Sequence, residues 1–549
     1  MMKESGEWAS LLTGGLLGVE WVYMYNMVYL WIAIATGLLL FVCYFTKRRL
    51  SNAKFERSRL PPGPAPWPVI GNMDLIAKGG VLLHQTLASL AKEYGPLMTL
   101  KLGSHTAVVA TSSKMAKEIL KTQNQYFCSR PKTAAGDILN YHNMDVLWAP
   151  YGEHLRAARK ICLTELLSIK RIASFTNTRE EEVLSSVLSM LEASKDGTVP
   201  IVLEEWMSQL STNNVSRMLF GKSFFGRNTE HFTGKKEFME VVRGVFTLSG
   251  IFVVGDFIPA LKVFDIGGHE AKMREVALKA DKFYSRILEE HRCSTSNISA
   301  SAKDQTHKQA DFLDTLLALP LKDALSETTM KALIADLIFA GTDTSANQIC
   351  WTFAELMRHP TILKKAVAEL DMVVGRDRLL RESDIANLEY LQAIVKESFR
   401  LHPVAALIPY ESIESTFIDG YHIPAKTRIF VNNYAISRLE ENWEKPLEFM
   451  PERFLVSTRD VKGQDFEMMP FGSGRRSCIG MNLGLLMVQL TVAQMLHVCN
   501  WSLPPGMEPE DVHITEDAGI SVPMKFPLTL IPTPRLASSI VNDYVPYLH

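Results

Sequence analysis

The hydrophobic pattern opens with one unbroken block: from Trp21 to Thr46 no residue carries a charge, and Val28 to Phe45 is dense in Leu, Ile, Val, Ala and aromatics. At about 1.5 Å per residue such a stretch crosses a hydrocarbon core of roughly 30 Å. A cleaved leader would have a basic start and a shorter apolar centre, whereas this run is long and ends in Lys47, Arg48 and Arg49, so the pattern predicts an uncleaved anchor. Before the span stand Glu4, Glu7 and Glu20 against Lys3, and after it Lys47, Arg48, Arg49, Lys54, Arg57 and Arg59. That asymmetry predicts a short lumenal N-terminus at residues 1–20, a transmembrane segment at 21–46 and a cytosolic body. Residues 47–70 read as a basic, proline-rich hinge, because Pro61-Pro62-Gly63-Pro64-Ala65-Pro66-Trp67-Pro68 cannot be helical.

Beyond Gly71 the periodicity is helical between Leu82 and Phe399, with strand-like pieces at Leu97–Leu102, Ala107–Thr111 and Arg428–Asn432. No further linker and no internal repeat interrupts it. The polar tract Ser294–Gln309 reads as an exposed loop between helices. Residues 71–549 are therefore expected to form one large domain, mainly α with a minor β-sheet. Its longest helix runs from an N-cap at Ser326 to Arg358, where His359-Pro360 stops it, and is apolar on nearly every face, as a core helix must be. Inside that run sits Ala340-Gly341-Thr342-Asp343-Thr344. Glycine, hydroxyls and a carboxylate weaken a buried helix, which points to function rather than packing.

Composition narrows the classes. With 58 Lys plus Arg against 60 Asp plus Glu and a net charge of −2 in 549 residues, a strongly basic nucleic-acid binder is excluded. The 47% hydrophobic and 21% charged content excludes a disordered chain. Cys43, Cys128, Cys162, Cys293, Cys350, Cys478 and Cys499 are too sparse for a disulfide framework and include no CxxC pair, so most should be reduced, buried thiols. One differs. In Pro470-Phe471-Gly472-Ser473-Gly474-Arg475-Arg476-Ser477-Cys478-Ile479-Gly480 the glycines permit a tight turn, and the thiol stands beside arginines just before the apolar-periodic segment Leu483–Val498. Such a position biases Cys478 towards thiolate, the form that ligates a metal. Taken alone, the segment also fits a glycine-rich turn carrying an inert thiol.

The pattern Phe471, Gly474, Arg476, Cys478, Gly480 resembles the haem-thiolate signature of the cytochrome P-450 superfamily. Three more motifs come in that family's order: Ala340 to Thr344 resembles its oxygen-activating stretch, Glu397-Ser398-Phe399-Arg400 its ExxR helix, and Pro451-Glu452-Arg453-Phe454 its PERF segment. With the anchor and proline run, the whole chain resembles the plant microsomal type. The resemblance implies the cytochrome P-450 fold on the cytosolic side of the endoplasmic reticulum membrane. It also implies haem b as cofactor with Cys478 as axial iron ligand, and insertion of one oxygen atom of dioxygen into a small hydrophobic or aromatic substrate. Electrons would come from NADPH through a separate reductase, since no glycine-rich flavin or nicotinamide motif occurs here. Arg476 and Arg159 would contact the haem, with Phe471, Gly474 and Gly480 shaping the cysteine loop. Gly341 would leave room for dioxygen, Thr344 would donate a hydrogen bond to it, and Asp343 would feed protons.

Glu397 and Arg400, three apart, share a helix face; the resemblance makes them, with Arg453, a buried charged triad behind the haem. The segment Trp148 to Lys160 resembles the entry of the family's C-helix, where WxxxR holds the haem carboxylates: Arg159 matches, but Leu155 replaces the tryptophan. Relatives commonly place Arg or His at Pro409-Tyr410, and Tyr410 offers one neutral donor instead. The reductase would dock where Arg156, Lys160 and Arg475 offer positive charge near Cys478.

By the same resemblance the substrate pocket would be lined by Ile138–Met144, Val245–Ile258, Phe339 with Ala340, Val404–Ile408 and Gly519–Val522. That inventory is chiefly apolar, which suits a lipophilic or aromatic small molecule. Lys132 and His142 are the candidates for pairing with a substrate carboxylate. The stretches Ser129 to Thr133, Asn213 to Met218 and Glu270 to Arg292 resemble land-plant hydroxylases of phenolic esters and flavonoids, and also the mid-chain fatty-acid hydroxylase. Amino-acid N-hydroxylation and haem-thiolate isomerase or dehydratase chemistry are less favoured, as is a non-enzymatic haem or scaffold protein.

Overall fold

A computed structural model describes Thr36 and residues 60–77, 81–226, 235–300, 310–320 and 325–542. The expected lumenal segment, membrane span and basic stretch lie outside these residues apart from Thr36. Contacts divide the chain into two units, Met1–Leu60 and Pro61–His549. The second is mainly helical with small sheets. Its boundary falls ahead of the expected one at Gly71, because the proline run is packed and not free. Thr99 N donates to Pro62 O at 2.8 Å, Asn72 Nδ2 to Ala65 O at 3.1 Å and Gly103 N to Ile70 O at 3.0 Å. A Cβ on Gly63 would lie 1.9 Å from Thr99 O, so only glycine lets the run press against that strand.

Two of the expected strands form over the expected residues, Leu97–Leu102 and Arg428–Asn432; the third, expected from Ala107, spans His105–Ala110. Leu97–Leu102 pairs antiparallel with His105–Ala110, which runs parallel to Arg428–Asn432, and Leu407–Glu411 closes the far edge antiparallel. The alternation Val108, Ala110 on one face and Ala107, Val109 on the other feeds two separate cores, since both faces are covered. Smaller pairings join Thr416–Ile418 to Tyr421–Ile423 and Thr529–Pro534 to Cys499–Ser502 and Ile201–Val202.

The central helix spans Glu327–Arg358, with the Ser326 hydroxyl accepting from Thr329 N at 3.1 Å and His359 closing its C-terminus. It packs against helix Leu203–Phe220 on one side and helix Met481–Val498 on another. Met481–Val498 is long and apolar enough to cross a membrane, but 67% of it is buried inside the body, as befits a core helix. The tract expected as a loop from Ser294 is helical as far as Ala300, the end of helix His269–Ala300. Once the apolar face of Met273, Phe283 and Leu288 has nucleated the helix, adding polar residues costs each only a few tenths of a kcal/mol. Of the described cysteines, Cys128, Cys162, Cys350 and Cys499 are buried and free, as expected, while Cys293 and Cys478 are exposed.

Candidate active site

The cysteine loop is built by backbone constraints. Gly472 and Gly474 adopt φ of +67° and +71°, and a Cβ on Gly474 would lie 2.2 Å from Leu120 O. Cys478 N donates to Phe471 O at 2.9 Å and closes the turn, and Gly480 caps helix Met481–Val498. Phe471 packs 5.1 Å from Phe399, which ties the loop to helix Glu389–Leu401. Cys478 keeps accessible surface, yet desolvation pushes its thiol pKa up, the combination expected of a side chain lining an interior space. The Gly480 N–H and the Arg159 guanidinium pull the other way and lose. The expected bias towards thiolate is therefore not a property of the protein matrix by itself: burial outweighs one cation and one amide.

Three guanidiniums converge nearby. Arg159 donates to Ser477 O at 2.9 Å, Arg476 to Cys128 O at 2.7 Å, to Val146 O at 3.2 Å and to Ala149 O, and Arg130 to Leu147 O at 3.2 Å and to Pro409 O. Among the described residues their hydrogen-bond acceptors are thus backbone carbonyls, with no carboxylate. Burial, then the neighbouring Arg130 and Arg159, push Arg476 down to about 9. The Arg130 guanidinium lies 4.7 Å from the ring centroid of Tyr410. Among the described residues, the buried Tyr410 hydroxyl and the buried Trp148 Nε1 have no partner. Buried like charges beside orphaned donors demand an anion. The two carboxylates of a haem held at Cys478 would meet that demand. The residues fit the cofactor.

Leu155 is fully buried in the apolar cluster that includes Ala158, Cys162 and Leu166, so this side chain packs and does not donate. Arg130 adds a guanidinium beside the Tyr410 ring. In sequence Arg130 is visible only within a longer resemblance, since its partners are backbone carbonyls of a loop and a strand, Leu147 and Pro409, that no spacing rule connects to it.

The buried central helix presents a less buried stripe of Leu337, Phe339, Ala340, Gly341, Asp343 and Thr344, with Ala340 exposed. Phe339 stacks on Phe246 at 4.6 Å. Gly341 has a packing role of its own: a Cβ there would come 2.8 Å from Val215 Cγ2, so the glycine lets helix Leu203–Phe220 close in. The Thr344 hydroxyl donates to Ala340 O at 2.6 Å, within its own helix. Asp343 accepts from Asn347 Nδ2 at 3.1 Å and from the Ser521 hydroxyl, and desolvation raises its carboxyl to about 6 despite Asn347. Asn347 also donates to Ser521 Oγ at 3.3 Å. Asn347 stands four residues from Asp343, a spacing that announces contact on a helix; Ser521 carries no such signal.

Segment Gly519–Val522 is held through Val522 N to Val404 O at 3.0 Å, so two of the expected pocket segments do meet each other and the central helix. Lys132 and His142 do not face an interior: both are exposed, and His142 Nδ1 lies 2.9 Å from Asp137.

The charged triad forms as expected. Arg400 donates through Nε and Nη2 to Glu397 at 2.7 and 2.8 Å, Arg453 Nε donates to Glu397 Oε1 at 3.0 Å, and Glu397 and Arg400 are fully buried. Met450 N adds a bond of 2.9 Å to Glu397, and Arg400 reaches the carbonyls of Ser437, Pro446 and Glu448. Both guanidiniums also lie over Trp443.

The family model for cytochrome P-450 matches residues 61–529. A flavonoid 3'-monooxygenase of Arabidopsis thaliana is 40% identical over 524 residues, covering 93% of this chain and 98% of that protein. A flavonoid 3'-monooxygenase of Petunia hybrida is 42% identical over 489 residues, covering 87% and 92% respectively. Among solved structures, a zebra fish cytochrome P-450 with progesterone superposes with a TM-score of 0.70 at 23% identity, covering 83% of this chain and 100% of that one, a likeness of fold alone.

Proposed function

The chain belongs to the cytochrome P-450 family and is a haem-dependent monooxygenase, and from that premise we propose that it hydroxylates an aromatic ring of a flavonoid-type or related phenolic metabolite. The observation that carries the substrate class is the Phe246–Phe339 stack beside exposed Ala340, directly on the helix that bears Asp343 and Thr344. Flat aromatic walls with few charges favour a flat aromatic guest. The activity for which the two plant relatives are named supports the same class.

In this reading the Cys478 thiolate would ligate the haem iron, and Arg130, Arg159, Arg476 and Tyr410 would receive the haem carboxylates. When bound, the haem would supply reductive activation of dioxygen. The protein's own part is positional. Phe339 and Phe246 would orient the substrate ring, the Thr344 hydroxyl would turn from Ala340 O to offer its proton to the site, and Asp343 would hold a proton drawn from solvent and pass it on. A carboxyl near 6 is suited to giving and regaining a proton at neutral pH. Electrons arrive from NADPH through a separate reductase that docks at Arg156, Lys160 and Arg475, in a protein anchored to the endoplasmic reticulum by residues 21–46.

The test is incubation of membranes holding this protein and a plant reductase with NADPH and a pooled panel of flavonoids, phenolic esters, mid-chain fatty acids and aromatic amino acids. The expected result is a gain of one oxygen on a flavonoid or phenolic. Oxidation confined to the fatty acids or amino acids, with the haem shown to be loaded, would overturn the substrate class.

A further inference from the structure

The segment Asp145–Ala149 is held from two sides by chemically opposite partners. From the central helix, the buried Asp336 carboxylate accepts Val146 N at 2.7 Å and Leu147 N at 3.0 Å, both on Oδ2. From the other side, arginines take carbonyls of the same segment: Arg476 those of Val146 and Ala149, and Arg130 that of Leu147, so that the Val146–Leu147 peptide unit is held at its N–H by Asp336 and at its carbonyl by Arg476. Trp148 N is satisfied within the segment by Asp145 Oδ1 at 3.0 Å. Just before it, Tyr141, His142 and Asn143 carry φ of +52°, +59° and +61°, a left-handed turn that non-glycine residues adopt at a cost and keep only when the adjoining chain is fixed. Asp336 stands eight residues before Thr344 and touches none of the reacting groups described above. Its burial on a core helix, beside the equally buried Asp145 carboxyl, has no packing rationale, because an unpaired carboxylate there would be costly.

We propose that Asp336 is a positioning residue that braces the Asp145–Ala149 peptides from the central helix, and through their carbonyls fixes Arg476 and Arg130 in the orientation that receives the haem carboxylates. Held at its N–H by Asp336 and at its carbonyl by Arg476, the Val146–Leu147 peptide is a stronger acceptor for that arginine than a loop carbonyl in water, and it carries the neighbouring carbonyls of Leu147 and Ala149 with it. The brace explains how two arginines with no carboxylate hydrogen-bond acceptor among the described residues stay ordered. It rests on the reading that these arginines meet the haem carboxylates.

The experiment combines hydrogen exchange with haem loss to a scavenger apoprotein, on the full-length haem-loaded chain. In the wild type, the amides of Val146 and Leu147 should exchange far more slowly than in the unfolded chain; exchange at the unfolded-chain rate would show that no brace exists. Asp336→Ala should lose that protection and release haem about tenfold or more faster, the scale of stranding buried amide donors. Asp336→Asn, which keeps an acceptor oxygen at the same place, should restore both to within about threefold. Haem release from Asp336→Ala at the wild-type rate, or failure of Asp336→Asn to rescue, would overturn the proposal. If Arg476→Ala leaves haem release unchanged while Val146 and Leu147 remain protected, the carboxylate assignment fails and the brace alone survives.

Discussion

Asp343 and Thr344 adjoin in sequence but face different demands. Thr344 already spends its proton on Ala340 O, so it must rotate to serve the reaction, whereas Asp343 is held by Asn347 and Ser521 and kept near 6 by burial. Thr344→Ala should keep its haem but divert electrons to hydrogen peroxide, with Thr344→Ser recovering product; an undiminished product yield in the alanine variant would remove Thr344 from the mechanism. The raised pKa of Asp343, like that of Asp336 at about 6, carries a sign: the fold favours the protonated form. The stability it contributes is full below the ordinary value of 3.8 and is lost as pH rises through about 6. Denaturant unfolding at a series of pH values should show that decline, and Asp343→Asn should flatten it; an identical profile in the variant would contradict the shift. At this scale the sequence is informative where chemistry is local. Cys478, Asp343 and Thr344 stand out because a thiol or a carboxyl beside glycine in an apolar run has few structural uses. Arg130, Asp336 and Ser521 do not, because their partners are backbone groups or side chains far along the chain, and no spacing rule announces such contacts.

Two elements decide how the stripe on the central helix meets its surroundings. Where helix Leu203–Phe220 crosses Gly341, alanine would gain about 1 kcal/mol in helix propensity but overpack Val215 at about 1–3 kcal/mol. Gly341→Ala should therefore destabilise the protein in thermal unfolding, and Val215→Ala should relieve it. An alanine variant that is fully stable yet inactive would instead point to room for dioxygen as the main use of this glycine. In helix Glu389–Leu401, Arg400→Ala strands the fully buried Glu397 and should cost about 3–5 kcal/mol by denaturant unfolding, while a loss below about 1 kcal/mol would mean that the triad is not a scaffold. Helix ends are readable because Ser326 and His359-Pro360 are unambiguous stops. Strands are harder. Leu407–Glu411 contains Pro409, which its edge position tolerates but which argues against a strand in sequence, and Thr529–Pro534, central in its sheet, carries Pro532 beyond the reach of Ile201–Val202, where only Cys499–Ser502 pairs with it. The stretch Ser294–Ala300 misleads in the opposite direction, since polarity marks exposure and not the absence of helix.

Across the whole molecule the question is how charge and electrons reach the cysteine. Arg156 and Arg475, from separate elements, both lie over the ring of Tyr151, and Lys160 stands one turn beyond Arg156, all three exposed. This gathers the cations expected for the reductase onto one patch beside the cysteine loop. Reversing all three to glutamate should slow NADPH-driven haem reduction by about tenfold or more at low salt, with the gap narrowing as ionic strength rises. Unchanged reduction kinetics would move the docking site elsewhere. The family is readable from four short motifs because each gathers several residues of one chemistry within a few positions; the substrate is not, because an apolar pocket of the kind expected here, lined from separate segments, leaves no pattern along the chain. The measurement that bears most directly on the account is turnover of a flavonoid under isotopically labelled dioxygen, with NADPH and reductase present. The account predicts a product carrying one labelled oxygen atom on an aromatic ring, formed only with NADPH and absent in Cys478→Ala. An unlabelled or NADPH-independent product, or a Cys478→Ala variant that still forms it, would contradict the account.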